Sequence, residues 1–203
     1  MKDVKLILLI IISGLMIYVS FYFLNKIMEL KQTQKTISDF AAGVQLREEF
    51  YKINFEHNSK MTGDFAPDVV CGNNKKEEFS LSALIKKKPL LIYRYAIMEC
   101  QPCFENELEE LSDAFTDLSE AVVILTSYHI MRAFYIFEGE NNMDIPVYYI
   151  NDDSFNWSVE DLHKPYFFIL HSDMKVSNIY IPDKNFPELN KQYLEGVKRL
   201  LSE

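Results

Sequence analysis

Much of this protein's chemistry is narrowed by what the chain lacks. It has three cysteines, Cys71, Cys100 and Cys103, so no second pair stands ready to complete a four-ligand zinc site. Phe104 follows Cys103 where covalent haem attachment needs a histidine. The four histidines (His57, His129, His163 and His171) show no ligand spacing, and no metal site is expected. No glycine-rich nucleotide motif is present, so a bound nucleotide is not expected. Positive charge is short, with 21 Lys and Arg against 30 Asp and Glu and a net charge of −9. That balance excludes the basic surface a nucleic acid requires. No internal repeat or low-complexity tract occurs.

Charge is also missing from residues 6–24, where Leu6 to Leu24 form an unbroken apolar run. Its length is close to the ~20 residues a helix needs to cross a bilayer. Tyr18, Tyr22 and Phe23 suit the interface near its end. No small-residue cleavage site and no lipidated cysteine lies between Phe21 and Glu29, so an uncleaved anchor is expected. Lys2 and Lys5 on one side, and Lys26, Lys31 and Lys35 on the other, leave its orientation undecided. The predicted organisation is an anchor over residues 1–26, a helical stalk over 27–63 and one globular domain over 64–203. Leu30, Ile37 and Val44 recur at seven-residue steps, the pattern of a weak stalk dimer. The blander reading is a stalk helix lying on the domain. The polar stretch Asn58 to Asp64, with Gly63, reads as a hinge into it.

The stretch Leu90 to Leu118 organises the domain. Leu90 to Ala96 reads as a buried strand, Cys100-Gln101-Pro102-Cys103 follows, and a helix takes over. On that helix Phe104, Leu108, Leu111, Phe115 and Leu118 share one face, with acidic residues on the other. Two cysteines three positions apart at a helix start can close a small disulfide ring. Unpaired amides and the helix dipole there stabilise a thiolate. Cys100 would then attack a partner disulfide and Cys103 resolve the mixed disulfide, while Pro102 suits an early helical position. The bland reading is two inert, packed cysteines in a fold without activity.

Around this centre, Val69 to Gly72 and Glu77 to Phe79 read as an edge hairpin, with Cys71 as a core residue on its first strand. Ala121 to Thr126 is a strand buried on both faces. Ile130 to Phe137 reads as a helix and Pro146 to Ile150 as a strand. The final helix is predicted over Pro187 to Ser202, with Leu189, Tyr193, Val197 and Leu200 on its buried face. This order is α/β layering around a mixed sheet. Trp157 is either a groove-lining aromatic or an ordinary half-buried one. His163 reads as a satisfied loop histidine rather than a neighbour of the sulfurs.

Ala66-Pro67-Asp68, Ser80-Leu81, Lys88-Pro89, Cys100 to Cys103, Lys164-Pro165-Tyr166-Phe167-Phe168-Ile169 and Asp173 to Val176 stand in the order of a known pattern. With them, residues 64–203 resemble the TlpA/ResA-like branch of the thioredoxin superfamily, membrane-tethered bacterial thiol–disulfide proteins. The resemblance implies a three-layer thioredoxin-like fold with a central mixed sheet, behind a transmembrane helix and stalk. It implies a redox-active Cys100–Cys103 disulfide in place of a cofactor, protein disulfide substrates, and an upstream protein electron donor. The globular part would face the periplasm or cell exterior. Pro165 would face the disulfide in the cis form beside Lys164 and shape the substrate groove.

Departures from the pattern bear on redox poise. Glu99 replaces the usual Trp before the first cysteine, and Arg94 stands where relatives often have Asp or Asn. Glu99 and the acidic helix oppose thiolate formation, while Arg94, if it reaches the site, acts in the other sense. With Gln101 and Pro102 between the cysteines, these residues are the expected modulators. Weighing Glu99 more heavily gives a disulfide reductase. The alternatives are a thioredoxin-fold copper-delivery module or a non-catalytic binding module. Copper proteins resembling the Sco group space their cysteines by three residues, whereas here the spacing is two. The peroxiredoxin pattern is absent.

Overall fold

The computed structural model describes residues 2–73, 75–85, 88–95, 101–127, 145–150 and 155–202, with only the backbone for 2–10 and 101–106. The chain divides into two compact units, Met1–Tyr51 and Lys52–Glu203. Helix α1 (Lys2–Met61) runs through the first and opens the second. In the first unit Ile12, Leu15, Ile17 and Phe21 are exposed, and the helix is long and apolar enough to cross a membrane. Leu30, Ile37 and Val44 beyond that run are exposed too.

In the second unit the last turns of α1 are tied to the domain through asparagines. Asn54 accepts from the Ile181 amide at 2.7 Å and donates to the Ile181 carbonyl at 3.2 Å. The Asn58 side chain accepts from the Ile179 amide at 3.0 Å. The hinge expected over Asn58 to Asp64 is therefore corrected. Asn58 is helical, Gly63 ends the helix with φ +94°, and its amide donates to the Val176 carbonyl at 2.8 Å. A positive φ costs glycine nothing, so the chain turns here without strain.

Among the described residues seven strands form one sheet in the order β2-β1-β5-β4-β3-β6-β7. They are β1 (Val70–Gly72), β2 (Glu78–Ser80), β3 (Leu90–Tyr95), β4 (Val122–Ser127), β5 (Val147–Ile150), β6 (Tyr166–Leu170) and β7 (Val176–Tyr180). β3, β4 and β5 run parallel, whereas β1, β2, β6 and β7 join antiparallel, giving the mixed sheet expected. At the β1–β5 contact a Cβ on Gly72 would run into the Tyr149 ring, so any larger residue there would have to displace that ring. The hairpin β1–β2 leads into the one-turn helix α2 (Leu81–Leu84), capped by Ser80. The Asp68 carboxylate accepts from the Ser82 amide and hydroxyl, both at 2.8 Å. These bonds hold its carboxyl below the ordinary range.

Alternation along β3 assigns the two faces. Leu91, Tyr93 and Tyr95 face helix α3 (Gln101–Ala114) and helix α4 (Pro187–Ser202). Leu90 and Ile92 face Leu81, Phe155, Val159, Phe168 and Met61. Leu108, Leu111 and Phe115 are fully buried as predicted, each contributing about 1.5–3 kcal/mol. Two expectations are corrected on α3. The helix stops at Ala114, and a 3₁₀ segment (Thr116–Ala121) with non-helical backbone at Leu118 carries the chain to β4. Thr116 Oγ1 binds the Ser112 carbonyl at 2.9 Å, satisfying an orphan acceptor at that end. Glu107 belongs to no solvent face, because it accepts a hydrogen bond from the Tyr93 hydroxyl.

On α4 Val197 is buried as predicted and Tyr193 packs against the core, while Asn190, Leu194 and Leu201 are buried in place of the predicted Leu189 and Leu200. Leu200 is exposed. The phase slips because Asn190 is a buried polar residue. Its Oδ1 accepts from the Tyr180 hydroxyl at 2.8 Å and the Asp183 amide at 3.3 Å, and its Nδ2 donates to the Asp183 carbonyl. The predicted helix over Ile130 to Phe137 lies outside the described residues.

Candidate functional site

The site end of the sheet is where β3 runs out and β6 begins. Arg94, next to last in β3, pairs in antiparallel register with Tyr166, the first residue of β6. Pro165 therefore stands at the same sheet end from which the chain leaves β3 for α3. Helix α3 begins at Gln101, so the backbone at Pro102 and Cys103 is in its first turn. Glu99 and Cys100 lie outside the described residues, as do the side chains of Gln101, Pro102 and Cys103.

Arg94 is the largest fully buried side chain among the described residues, at 0% exposure. Its Nε donates to Glu160 Oε1 at 3.0 Å, and the same oxygen accepts from the Tyr166 hydroxyl at 2.7 Å. Glu160 opens a short 3₁₀ turn (Glu160–Leu162) that delivers the chain to Pro165. The guanidinium carbon lies 5.9 Å from the centroid of the Phe155 ring, on which Trp157 stacks at 4.5 Å. Trp157 also meets Phe168 edge-on at 5.3 Å and is half-buried in that aromatic cluster. Arg94 Nη1 and Nη2 have no hydrogen-bond partner among the described residues. Burial, and next the Glu160 charge, push the Tyr166 phenol well above its ordinary value.

Sequence reasoning missed Glu160 and Tyr166. The signal was available, since a cation inside an apolar strand requires a carboxylate partner from a neighbouring element. Lys164, an expected modulator, is exposed, and so is the loop residue His163, whose backbone is left-handed at φ 51°, while Pro165 is half-buried. No cis peptide bond occurs among the described residues, so the Lys164–Pro165 bond is trans, correcting the cis form implied by resemblance. Trans is the isomer an X-Pro bond favours by about 0.5–1 kcal/mol.

Glu107 is a second charge drawn into the fold. Burial, against the Tyr93 hydrogen bond, pushes its carboxyl up to about 7. Among the described residues no group of three or more His, Cys, Asp or Glu side chains is arranged to hold a metal ion. His57 shares a 3.3 Å hydrogen bond with Ser158, and His171 one of 2.7 Å with Ser177. Cys71 is at 0% exposure, and burial, with a contribution from Asp68, pushes its thiol up to about 12. Since the thiolate is the reactive form, Cys71 is expected to alkylate at pH 8 only as fast as the fold opens. Mass-spectrometric counting of labelled thiols in folded and denatured protein checks this.

No family model and no curated protein matches the sequence. Solved structures do match the fold. One is a thiol:disulfide interchange protein from Bacteroides sp., with a TM-score of 0.53 and 13% identity, covering 70% of this chain and 91% of that one. Another is the thioredoxin domain of a thiol-disulfide oxidoreductase from Bacteroides vulgatus, with a TM-score of 0.50 and 14% identity, covering 69% of this chain and 97% of that one. Behind its long apolar helix, this chain has the thioredoxin-like fold of the thiol:disulfide interchange proteins.

Proposed function

We propose that the protein is a membrane-tethered thiol–disulfide oxidoreductase acting on proteins outside the cytoplasm, and that it works as a reductase. The observation that carries the reading is the Cys100-Gln101-Pro102-Cys103 run at the start of α3, on a fold that supports this chemistry in its neighbours. The Cys100 thiolate attacks one sulfur of a substrate disulfide, and the other leaves as a thiolate. Cys103 then attacks the Cys100 sulfur and releases the second substrate thiol. Two electrons pass to the substrate, which takes up two protons, and the protein is left with a Cys100–Cys103 disulfide. A second protein dithiol must return the electrons. Pro165 borders the substrate groove, and residues 6–24 hold the domain at the membrane. The exposed heptad positions Leu30, Ile37 and Val44 favour a stalk dimer.

The direction follows from charge. Glu99 adjoins the nucleophile and disfavours its thiolate, and a less stabilised reduced form is the better electron donor. Equilibration with glutathione buffers is expected to give a reduction potential more negative than about −180 mV. A value above that figure reverses the assignment to an oxidase or isomerase.

A further inference from the structure

We propose that the last turns of α1 guard the β7 edge of the sheet. Asn54 and Asn58 stand in for an eighth strand there and keep β7 from pairing with a second copy of the chain.

The two edges differ in their need for cover. Among the described residues β2 and β7 are the outer strands of the sheet. β2 is three residues long, contains Glu78 and follows Lys75, Lys76 and Glu77, all exposed. A short, charged edge resists strand addition by itself. β7 and the residue after it read Val176-Ser177-Asn178-Ile179-Tyr180-Ile181, a run without charge, proline or glycine. Val, Ile and Tyr favour strands, and such a run pairs readily with its own kind when its amides and carbonyls are free. Nothing in the sequence of β7 protects it, so protection has to come from another element.

The end of α1 supplies it through a match of spacings. Residues four apart on a helix are separated by about 6 Å along its axis, and alternate residues of a strand by about 6.6 Å. Asn54 and Asn58 therefore reach alternate amides, accepting from Ile181 at 2.7 Å and Ile179 at 3.0 Å, with the helix antiparallel to the strand. Asn54 also donates to the Ile181 carbonyl at 3.2 Å, so one side chain makes both bonds a neighbouring strand residue would make. Past the helix the backbone continues the pairing. The Gly63 amide donates to the Val176 carbonyl at 2.8 Å, the Val176 amide donates to the Asp64 carbonyl at 2.9 Å, and Phe65 bridges Lys175 antiparallel. A bulge fits the two halves of the cover together. β7 has one more residue than β6 between the Ile169–Ser177 and Phe167–Tyr180 pairs, where Asn178 has φ 52°. The extra residue turns the amides of Ile179 and Ile181 to the same edge as that of Val176, while all three side chains stay in the core.

The test compares the full-length, detergent-solubilised parent with the double variant Asn54→Ala/Asn58→Ala. Hydrogen exchange is read by mass spectrometry on peptides covering β7 through Ile181 and, as a reference, β3, and assembly size by sedimentation. Exchange over the β7 peptide is expected to rise about tenfold or more in the variant, while β3 keeps its protection. The added exchange is expected to fall again as protein concentration is raised, because a second copy takes the vacated edge, and assemblies larger than the parent's form. Asn58→Asp keeps an acceptor for the Ile179 amide and is expected to behave as the parent. Should the double variant fail to fold, the contrast between Asn58→Ala and Asn58→Asp decides alone. Parent-like exchange over the β7 peptide overturns the proposal. An equal rise over β3 overturns it as well, since that marks a general loss of stability. Faster exchange at β7 with neither concentration dependence nor larger assemblies also overturns it, because the edge would then be open and inert.

Discussion

Replacing Cys100 with serine is expected to drop disulfide exchange to the uncatalysed background, while Cys103→Ser accumulates mixed disulfides with captured proteins. The asymmetry follows from the two-step chemistry. The first step needs a thiolate able to attack a substrate disulfide, and a serine hydroxyl cannot supply one at neutral pH. The second step needs a sulfur close enough to cut the mixed disulfide, and removing it leaves the first product standing. Cys71 cannot stand in for either. It lies on β1 with its side chain buried in the core, and its thiol is pushed up to about 12. The thiolate fraction at neutral pH is therefore negligible. A steady-state assay on a small protein disulfide checks the first outcome, and non-reducing electrophoresis with mass spectrometry checks the second. Retention of more than about a tenth of the activity by Cys100→Ser would falsify the site assignment. So would capture that survives the loss of Cys100 but disappears in Cys71→Ala.

How far the sequence reached can be judged residue by residue. The run Leu90 to Tyr95 declared its strand because a continuous apolar segment of that length is buried on both faces. The spacing of Leu108, Leu111 and Phe115 declared the face of α3. Failures arose where polar side chains hold elements together. Asn190 shifted the buried stripe of α4 because its amide closes onto Asp183 and Tyr180, a pairing hydropathy cannot express. Asn54 and Asn58 attach the end of α1 to Ile181 and Ile179, more than a hundred residues away. Their polarity alone suggested a solvated stalk and hinge. Arg94 was recognised as unusual, but its partner Glu160 is distant in sequence and joined only by the register of β3 with β6.

The same blindness affects the charge near the dithiol. Counting Glu99, Glu105, Glu107, Glu109 and Glu110 as a uniform negative field treats every carboxylate as ionised and solvated. Burial pushes the Glu107 carboxyl up to about 7 and also raises that of Glu110 above its ordinary value. The opposition to a Cys100 thiolate therefore rests more on Glu99 and less on the helix than composition implies. The proposed reductase direction thus rests chiefly on Glu99.

Glu107 is the side chain for which this matters most to stability, and Glu107→Gln is expected to stabilise the domain by about 3 kcal/mol at pH 8 while changing little at pH 4. Burial raises the folded-state carboxyl from its ordinary 4.5 to about 7. Between those values the folded chain binds more protons than the unfolded one, so stability falls as pH rises through that window. Below about 4.5 both states are protonated and nothing is lost; above about 7 both are ionised and the whole cost of the desolvated anion is present. This is the reverse of a salt-bridged carboxylate, whose stabilising effect is lost on acidification. Glutamine keeps an oxygen to accept from the Tyr93 hydroxyl and carries no charge, so the pH-dependent part should vanish while the hydrogen bond survives. Chemical denaturation of the solubilised chain, followed through Trp157, provides the measurement at both ends of the window. Equal destabilisation of the variant at pH 4 and pH 8 would mean that Glu107 is needed for its shape and hydrogen bonding, and that its charge is not being suppressed by the fold.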